Sequence, residues 1–484
     1  MKISKDFLRT VPAVLIAVMV WSCPKPAENS GEVKTVIPED LMGMVHAGYT
    51  GTYADGSSGH LAEEYTRLDE MGVVWMLRDF SWSSIEPSDD SWQWDTFDQY
   101  VANANSHNKK IMGLLAYDVA WLHGGWSSEY AEMTDSVSGG KVSVQKYADG
   151  CTDNSVKGDA EIAEYCEYAA AAVTRYNGKN GHGKVDAWCI WNEPNLLPRF
   201  WTATPEDFFR LTKAAAAAIR QADPDAVIIG GALNTTADNN IWSRGIFNSG
   251  AMKQVDAVAY HPYTPNARGS YEIYNEFKEA VSSYGFGNKI WITEIGYPMK
   301  GSYGTEVAEE KMPLEVLKTI TLLAAGGAQR IFWYELFDHG SGGNPSDSEH
   351  WFGLLNRDDF SRKGGADAYQ LCALNFPGKT LRSALPERSG VSGDVAAYYF
   401  EGPDGKHTLV IWSNRLSRPQ PVTVTLPGSN QKEWNIRTGI SAPAGERSQW
   451  TLQKEAAGEQ DFTQLRFFTW ENSDRSKSPR ISAN

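Results

Sequence analysis

Eight short apolar runs, separated by helix-like stretches, constrain this chain more than any other feature. They are LMGMVHAG, GVVWMLR, KIMGLLAY, VDAWCIWNE, AVIIGGAL, VDAVAYHPY, KIWITEIGY and RIFWYELF, spread from about residue 40 to 375. A run without in–out alternation reads as a strand buried on both faces, which occurs where helices cover both sides of a parallel sheet. The intervening stretches suit those helices. AEIAEYCEYAAAAVTRY is one; PEDFFRLTKAAAAAIRQA is another, with Thr204 as N-cap and Pro205 in its first turn. A third, EVAEEKMPLEVLKTITLLAAG, ends at a glycine. Eight such units predict an α/β fold, a closed (β/α)8 TIM barrel over 40–378. The competitor, an open doubly wound sheet, calls for fewer strands and a glycine-rich phosphate loop. Neither GxGxxG nor a P-loop occurs.

Beyond ALNFPGKTLRSALPE the rhythm changes. VAAYYFEG, KHTLVIWSN, QPVTVTLPG, EWNIRTG, SQWTLQK and QLRFFTWEN are strand-like and broken by Gly, Pro, Asn and Asp. They predict a small all-β sandwich over 379–473, which braces the barrel or binds glycan. Residues 474–484, DRSKSPRISAN, read as a disordered tail. At the other end, Lys2, Lys5 and Arg9 precede the apolar core VPAVLIAVMV, too short to span a bilayer. VWSC then resembles a bacterial lipobox. The expectation is a lipoprotein-type signal peptide over 1–22, lipidation of Cys23, and a polar tether over 23–39. Plain secretion is the alternative. Either places the protein outside the cytoplasm, periplasmic or at the cell surface, and a lipid anchor is its one expected membrane contact.

The chain has 484 residues, room for a barrel and a smaller domain. Its formal charge is −15, and no basic stripe exists to neutralise a phosphate backbone, so nucleic acid is excluded as a partner. Five cysteines occur. Cys189 and Cys372 sit in apolar patterns and read as core thiols, whereas pairing of Cys151 with Cys166 is left open. No clustered Cys/His spacing and no His-x-His at a strand end points to a metal, and no cofactor is called for.

In such a barrel, functional side chains come from the C-terminal ends of the strands. The polar residues there are Arg78 after the second run, Tyr117 and Asp118 after the third, Asn192 and Glu193 after the fourth, His261 and Tyr263 after the sixth, Glu294 after the seventh, and Trp333 with Glu335 after the eighth. A carboxylate at the end of a buried strand is costly unless it works. Glu193 and Glu294 lie on staves that face each other across the mouth. Two carboxyl groups about 5–5.5 Å apart are what retaining glycoside hydrolysis needs, one attacking the anomeric carbon and the other acting as acid and then base. Taken singly, each glutamate could as well cap a helix or pair with an arginine.

Here the residues reach a family. IWNEPN, followed about a hundred residues later by WITEIGYP, resembles the clan GH-A glycoside hydrolases, and within them family 39 most. The segment beginning RDFSWSSIEP, AYHPY and IFWYELFD match the clan's second, sixth and eighth strands. The resemblance implies Glu193 as acid/base and Glu294 as nucleophile. It implies that Asn192 binds the sugar 2-hydroxyl, that Arg78 and Tyr263 hydrogen-bond Glu294 and keep it ionised, that His261 contacts Glu193 or substrate, and that Trp333 floors the sugar subsite. Tyr117 and Glu335 join the substrate-binding set. For Glu335 and Asp338 a surface-loop role is equally open.

Flat rings match the apolar faces of pyranoses. Candidate cleft residues are therefore Trp82, Trp92 and Trp94, Trp121 and Trp126 in the long loop 118–157, Trp201, and Trp351. The leading reading is a retaining glycosidase cleaving β-linked oligo- or polysaccharide internally. An exo-acting β-glycosidase of the β-xylosidase or β-glucosidase type is the alternative, marked by a closed pocket instead of a groove. A non-catalytic carbohydrate-binding barrel is the reading from another class, and loss of either glutamate would have signalled it.

Overall fold

The computed structural model describes residues 34–48, 60–235, 239–339, 342–382, 387–389, 394–414, 419–445, 447–452, 464–474 and 477–483. The signal peptide, Cys23 and most of the tether lie outside them. Each of the eight apolar runs supplies one barrel strand: β1 (Met42–Val45), β2 (Trp75–Ser81), β3 (Lys110–Ala116), β4 (Ala187–Ile190), β5 (Ile228–Asn234), β6 (Ala257–His261), β7 (Ile290–Ile295) and β8 (Arg330–Trp333). All neighbours pair in parallel, and β8 closes on β1. Trp75, Leu77, Met112, Leu114, Cys189, Ile229, Trp291 and Phe332 fill the interior. Their sequence neighbours, such as Met76, Ile111, Leu115, Trp188 and Ile292, face the helices. Both faces are thus apolar, which is why the runs show no alternation.

The helices begin where capping chemistry lets them. Thr204 Oγ1 accepts from Asp207 N, and Asp207 returns a bond to Thr204 N, so helix Pro205–Ala222 starts with two end groups satisfied. Its buried face carries Phe208, Leu211, Ala215 and Ile219, one helical turn apart.

Two barrel strands break register, and both breaks lie at the functional end. β7 slips by one residue against β8 between Ile292 and Ile295. Ile292 and Ile295 both pack on the helix side. The extra residue lets Thr293 and Glu294, adjacent in sequence, both turn toward the barrel mouth. β5 slips against β6 between Gly230 and Leu233, with Gly231 at φ +90° and Ala232 at φ +40°. That slip turns Asn234 to the same side.

The second domain is a sandwich of a seven-stranded and a four-stranded sheet. Val395, Leu409, Ile411, Val424, Leu452, Phe468 and Trp470 pack between the sheets. The other face of the larger sheet packs on the barrel's helices: Phe376 stacks on Phe400 at 4.1 Å, and Lys318 lies 5.9 Å from the Trp412 ring. Both ends of the chain depart from the sequence reading. Lys34–Val36, expected within the tether, pairs antiparallel with Thr380–Arg382. Arg480–Ala483, expected in a disordered tail, forms a strand between Glu387–Ser389 and Gln420–Thr425. Its polar composition hid it, because among its described side chains the sheet deeply buries Ile481 alone. Ile481→Ala is expected to cost about 2–4 kcal/mol in denaturant unfolding; a frayed tail would give no change.

Candidate active site

The chain bends sharply on leaving β4. Trp191 (φ +63°) and Glu193 (φ +43°) both adopt the left-handed conformation that non-glycine residues avoid. Strain of this kind persists where the surroundings over-determine it. Here Glu193 N donates to Ala232 O at 2.9 Å, and the Trp191 indole donates to Phe200 O at 2.8 Å. The bend turns the Glu193 carboxylate into the mouth, 5% exposed. Its Oε1 lies 2.7 Å from His261 Nδ1 and also accepts from the Asn234 amide. His261 Nε2 is held 2.8 Å from Thr293 Oγ1.

Glu294 faces it from β7. Its Oε2 accepts from Tyr263 OH at 3.1 Å and lies 3.7 Å from His261 Nδ1. Carboxylate oxygens of Glu193 and Glu294 and a ring nitrogen of His261 all lie within 4.8 Å of one another. Burial pushes the Glu294 carboxyl up to about 7; protonated His261 and His46 pull it down, while Glu193 adds to the rise. For His261, burial opposes the charge, but Glu294 and Glu193 outweigh it and raise its pKa. The centre is a histidine wedged between two carboxylates.

The other expected residues divide. Asn192 lines the cavity beside Glu193, and its amide donates to Tyr117 OH at 3.2 Å. Tyr117 lines it as well and stacks on Phe200. Arg78 points the other way, buried with its guanidinium 5.1 Å over the Tyr100 ring. Side chains alternate along a strand, and the interior positions of β2 are Trp75, Leu77 and then Asp79. Asp79, one residue on, lines the cavity. Trp333 is fully buried, edge-on to Tyr297, beneath the lining and not part of it. Glu335 is buried and engages His46, Nδ1 to Oε2 2.7 Å. Asp338 is buried against Lys363.

The tryptophans expected to stack sugars do not reach the cavity. Trp82 is buried, with its indole on Glu86. Trp121 donates to Glu86 O at 2.8 Å, and Trp126 is 53% exposed at the base of the hairpin Trp126–Thr134/Lys141–Tyr147. Trp92 and Trp94 stack on each other outside the barrel, beside helix Asp159–Arg175. Trp201 is buried, and Trp351 lies against Lys300. The cavity, about 340 Å³, is lined instead by tyrosine and phenylalanine: Tyr117, Phe200, Tyr263, Tyr303, Tyr334 and Phe352.

Several lining residues escaped the sequence reading. His46 and Asn234 stand at the ends of β1 and β5, in the same kind of position as the residues that were found. Burial by itself opposes charge on His46, yet the Glu335 carboxylate raises its pKa to about 9. Arg199, Tyr303 and Glu349 come from loops, with nothing in their sequence to bring them together.

Two histidine-containing clusters have donor atoms close enough to share a cation: the central trio, and His123 with Asp149, Cys151 and Glu161. In both the imidazole is engaged by carboxylates, His123 by Asp149 at 2.8 Å and Asp118 at 3.2 Å. Cys151 and Cys166 are free thiols, and so are the buried Cys189 and Cys372.

Residues 129–290 match the Glycosyl hydrolases family 39 profile. Within that segment the chain is similar to family 39 glycosyl hydrolases, and the segment forms part of the barrel. The matched segment contains Glu193, His261 and Tyr263 and ends four residues before Glu294. Over 138 residues the chain is 32% identical to a beta-xylosidase from Caldicellulosiruptor saccharolyticus, spanning 28% of this chain and 27% of that protein. A beta-xylosidase from Geobacillus stearothermophilus is 32% identical over 100 residues, 20% of each chain. The family 39-like similarity in sequence thus spans about a quarter of these curated relatives. In fold it extends further. A family 39 glycoside hydrolase from Bacteroides cellulosilyticus WH2 superposes with a TM-score of 0.64 at 18% identity, covering 90% of this chain and 81% of that one. A family 39 beta-xylosidase from Caulobacter crescentus gives 0.58 at 16%, covering 91% and 98%.

A carboxyl with a raised pKa is protonated more readily in the folded than in the unfolded chain. Stability is therefore lost as pH rises from about 4.5 to about 7 through Glu294. Glu294→Gln stays neutral and avoids that loss. By scanning calorimetry, the variant's gain in thermal midpoint over wild type is expected to be larger at pH 8 than at pH 5.

Proposed function

We propose that this chain is a retaining glycoside hydrolase that removes sugar units from the ends of β-linked glycans, with β-xylosides the first substrates to try. The observation that carries the reading is the approach of the Glu193 and Glu294 oxygens within 4.8 Å. Retaining catalysis uses carboxyl groups about 5–5.5 Å apart, whereas inversion needs roughly 6.5–9.5 Å to seat a water between them. The choice of xyloside rests on the two partial relatives that are beta-xylosidases. Chain-end action is favoured over internal cleavage because the sugar enters a cavity of about 340 Å³ whose lining holds no tryptophan platform.

In the first step Glu294, ionised, attacks the anomeric carbon as Glu193 gives its proton to the departing glycosidic oxygen. A glycosyl ester on Glu294 forms and the leaving chain departs as an alcohol. In the second step Glu193, now a carboxylate, takes a proton from water, whose oxygen displaces Glu294 and frees the sugar. Glu193 must load and return a proton in each cycle. His261 and Asn234, both on its Oε1, position that oxygen. Tyr263 OH and the cationic His261 and His46 favour ionised Glu294 against its burial. Asn192, at the cavity wall beside Glu193, is placed to take the sugar 2-hydroxyl.

Glu294→Gln is expected to lower kcat/KM on an aryl β-xyloside by at least about a thousandfold. A 2-fluoro glycosyl inactivator should add one sugar to wild-type Glu294, seen by peptide mass, and none to the variant. Labelling elsewhere, or a rate within tenfold of wild type, removes Glu294 as nucleophile. The acid limb of kcat/KM should have its midpoint near 7, where Glu294 loses its charge.

We propose further that the protein is exported and anchored through Cys23, on the strength of the basic, apolar and VWSC segments before it. Cys23→Ala should move the protein from the membrane to the soluble fraction after cell lysis. Unchanged partitioning would dismiss the anchor.

A further inference from the structure

Four side chains form a bridge over the cavity. Arg199 Nη2 is 2.8 Å from Glu349 Oε1. Tyr303 OH donates to the same oxygen at 2.8 Å, and Tyr334 OH donates to Glu349 Oε2 at 3.1 Å. All four line the cavity. Arg199 follows β4, Tyr303 follows β7, and Tyr334 and Glu349 follow β8. In the closed order of eight strands, β4 and β8 are four places apart and stand on opposite walls. The pair therefore ties loops from opposite walls of the mouth.

The Arg199 end is fastened from behind. Its guanidinium lies 4.8 Å over the Phe200 ring, which stacks on Tyr117. The turn of the hairpin Trp126–Thr134/Lys141–Tyr147 docks on the same loop, Ser136 N donating to Leu197 O at 2.7 Å and Leu197 N to Ser136 Oγ at 3.0 Å. A half-exposed ion pair adds little to stability on its own. Three donors on one carboxylate, and a stacked cation, fix its place instead. Among the described residues, the side-chain hydrogen bonds of Arg199, Tyr303, Tyr334 and Glu349 run within the bridge and not to Glu193, His261 or Glu294.

We infer that the Arg199–Glu349 bridge, held by Tyr303 and Tyr334, is the specificity device that bars a glycan from running through the site and so confines cleavage to a chain end. The inference rests on the glycosidase reading above and deepens it. A chain entering the cavity meets the bridge beyond the sugar seated at Glu193 and Glu294. Removing it opens the mouth between the two walls and turns a pocket into a groove.

The test uses the full chain as wild type, Arg199→Ala and Glu349→Gln. Each is given an aryl β-glycoside, chosen from a panel of sugars, and a β-linked hexasaccharide of the same sugar with a bulky ether on its non-reducing end. Wild type should hydrolyse the aryl glycoside and leave the capped hexasaccharide whole. In both variants the ratio of kcat/KM, capped hexasaccharide over aryl glycoside, should rise by at least about tenfold, with internal fragments seen by mass. Loss of fold alone would lower both rates and yield no internal fragments. Should either variant fail to fold, Tyr303→Phe removes one donor to Glu349 and should shift the ratio the same way. Internal cleavage by wild type, or an unchanged ratio in folded variants, overturns the bridge while leaving the glycosidase intact. If wild type turns over no aryl glycoside of the panel and the 2-fluoro inactivators label nothing, the glycosidase reading falls and the bridge falls with it.

Discussion

A buried imidazole between two carboxylates is the contact on which the rest of this structure turns. Neither Glu193 nor Glu294 has enough water to carry a charge cheaply, and their oxygens are within 4.8 Å. Two bare carboxylates at that distance in a dry mouth would repel each other strongly. His261, 2.7 Å from one and 3.7 Å from the other, offers the compensating charge. Thr293 on its far nitrogen holds the ring from the other side.

Much of the local backbone can be read as the means of assembling that contact. The left-handed turn through Trp191 and Glu193 raises one carboxylate from the end of β4. The slip in β7 aims two consecutive residues inward, giving His261 its threonine and the centre its second glutamate. The slip in β5 delivers Asn234 to Glu193. Regular strands would place only alternate residues at the mouth. Each irregularity adds one polar group there, and none of the three sits in the structural half of the barrel. The apolar layers below, Trp75, Trp291 and Phe332 among them, form the rigid floor against which these turns are braced.

Legibility in the sequence followed physical lines. The eight strands were readable because burial on both faces leaves an unbroken apolar run. The two glutamates were readable as a pair, because carboxylates ending buried runs on two facing staves point to joint chemistry where either one alone would not. The same logic could have found His46 and Asn234, polar residues ending the first and fifth runs. Arg78 was misassigned to the centre by a single position: only its parity along β2 separates it from Asp79, and a long apolar-flanked charge looks functional from either face. The tryptophans misled for a related reason. A large aromatic serves a helix–strand interface as well as a sugar, and most here, Trp82, Trp201 and Trp333 among them, took the former place. The strand at Arg480–Ala483 was missed because an edge strand in a sandwich needs few apolar side chains once its neighbours supply the core.

By itself the sequence determined the barrel, the sandwich after it, and the identity of the paired acids, since these depend on periodicity and on the cost of burying charge, both local properties. Tertiary structure alone decided which residues share the mouth. Arg199, Tyr303 and Glu349 meet across loops of irregular length, and the shape they impose on the cavity depends on distances between opposite walls, a quantity that no pattern along one chain encodes. The titration of Glu294 belongs to the same class: its rise to about 7 comes from desolvation and the Glu193 charge against the opposing pull of His261, His46 and Tyr263, groups that meet only when the barrel closes.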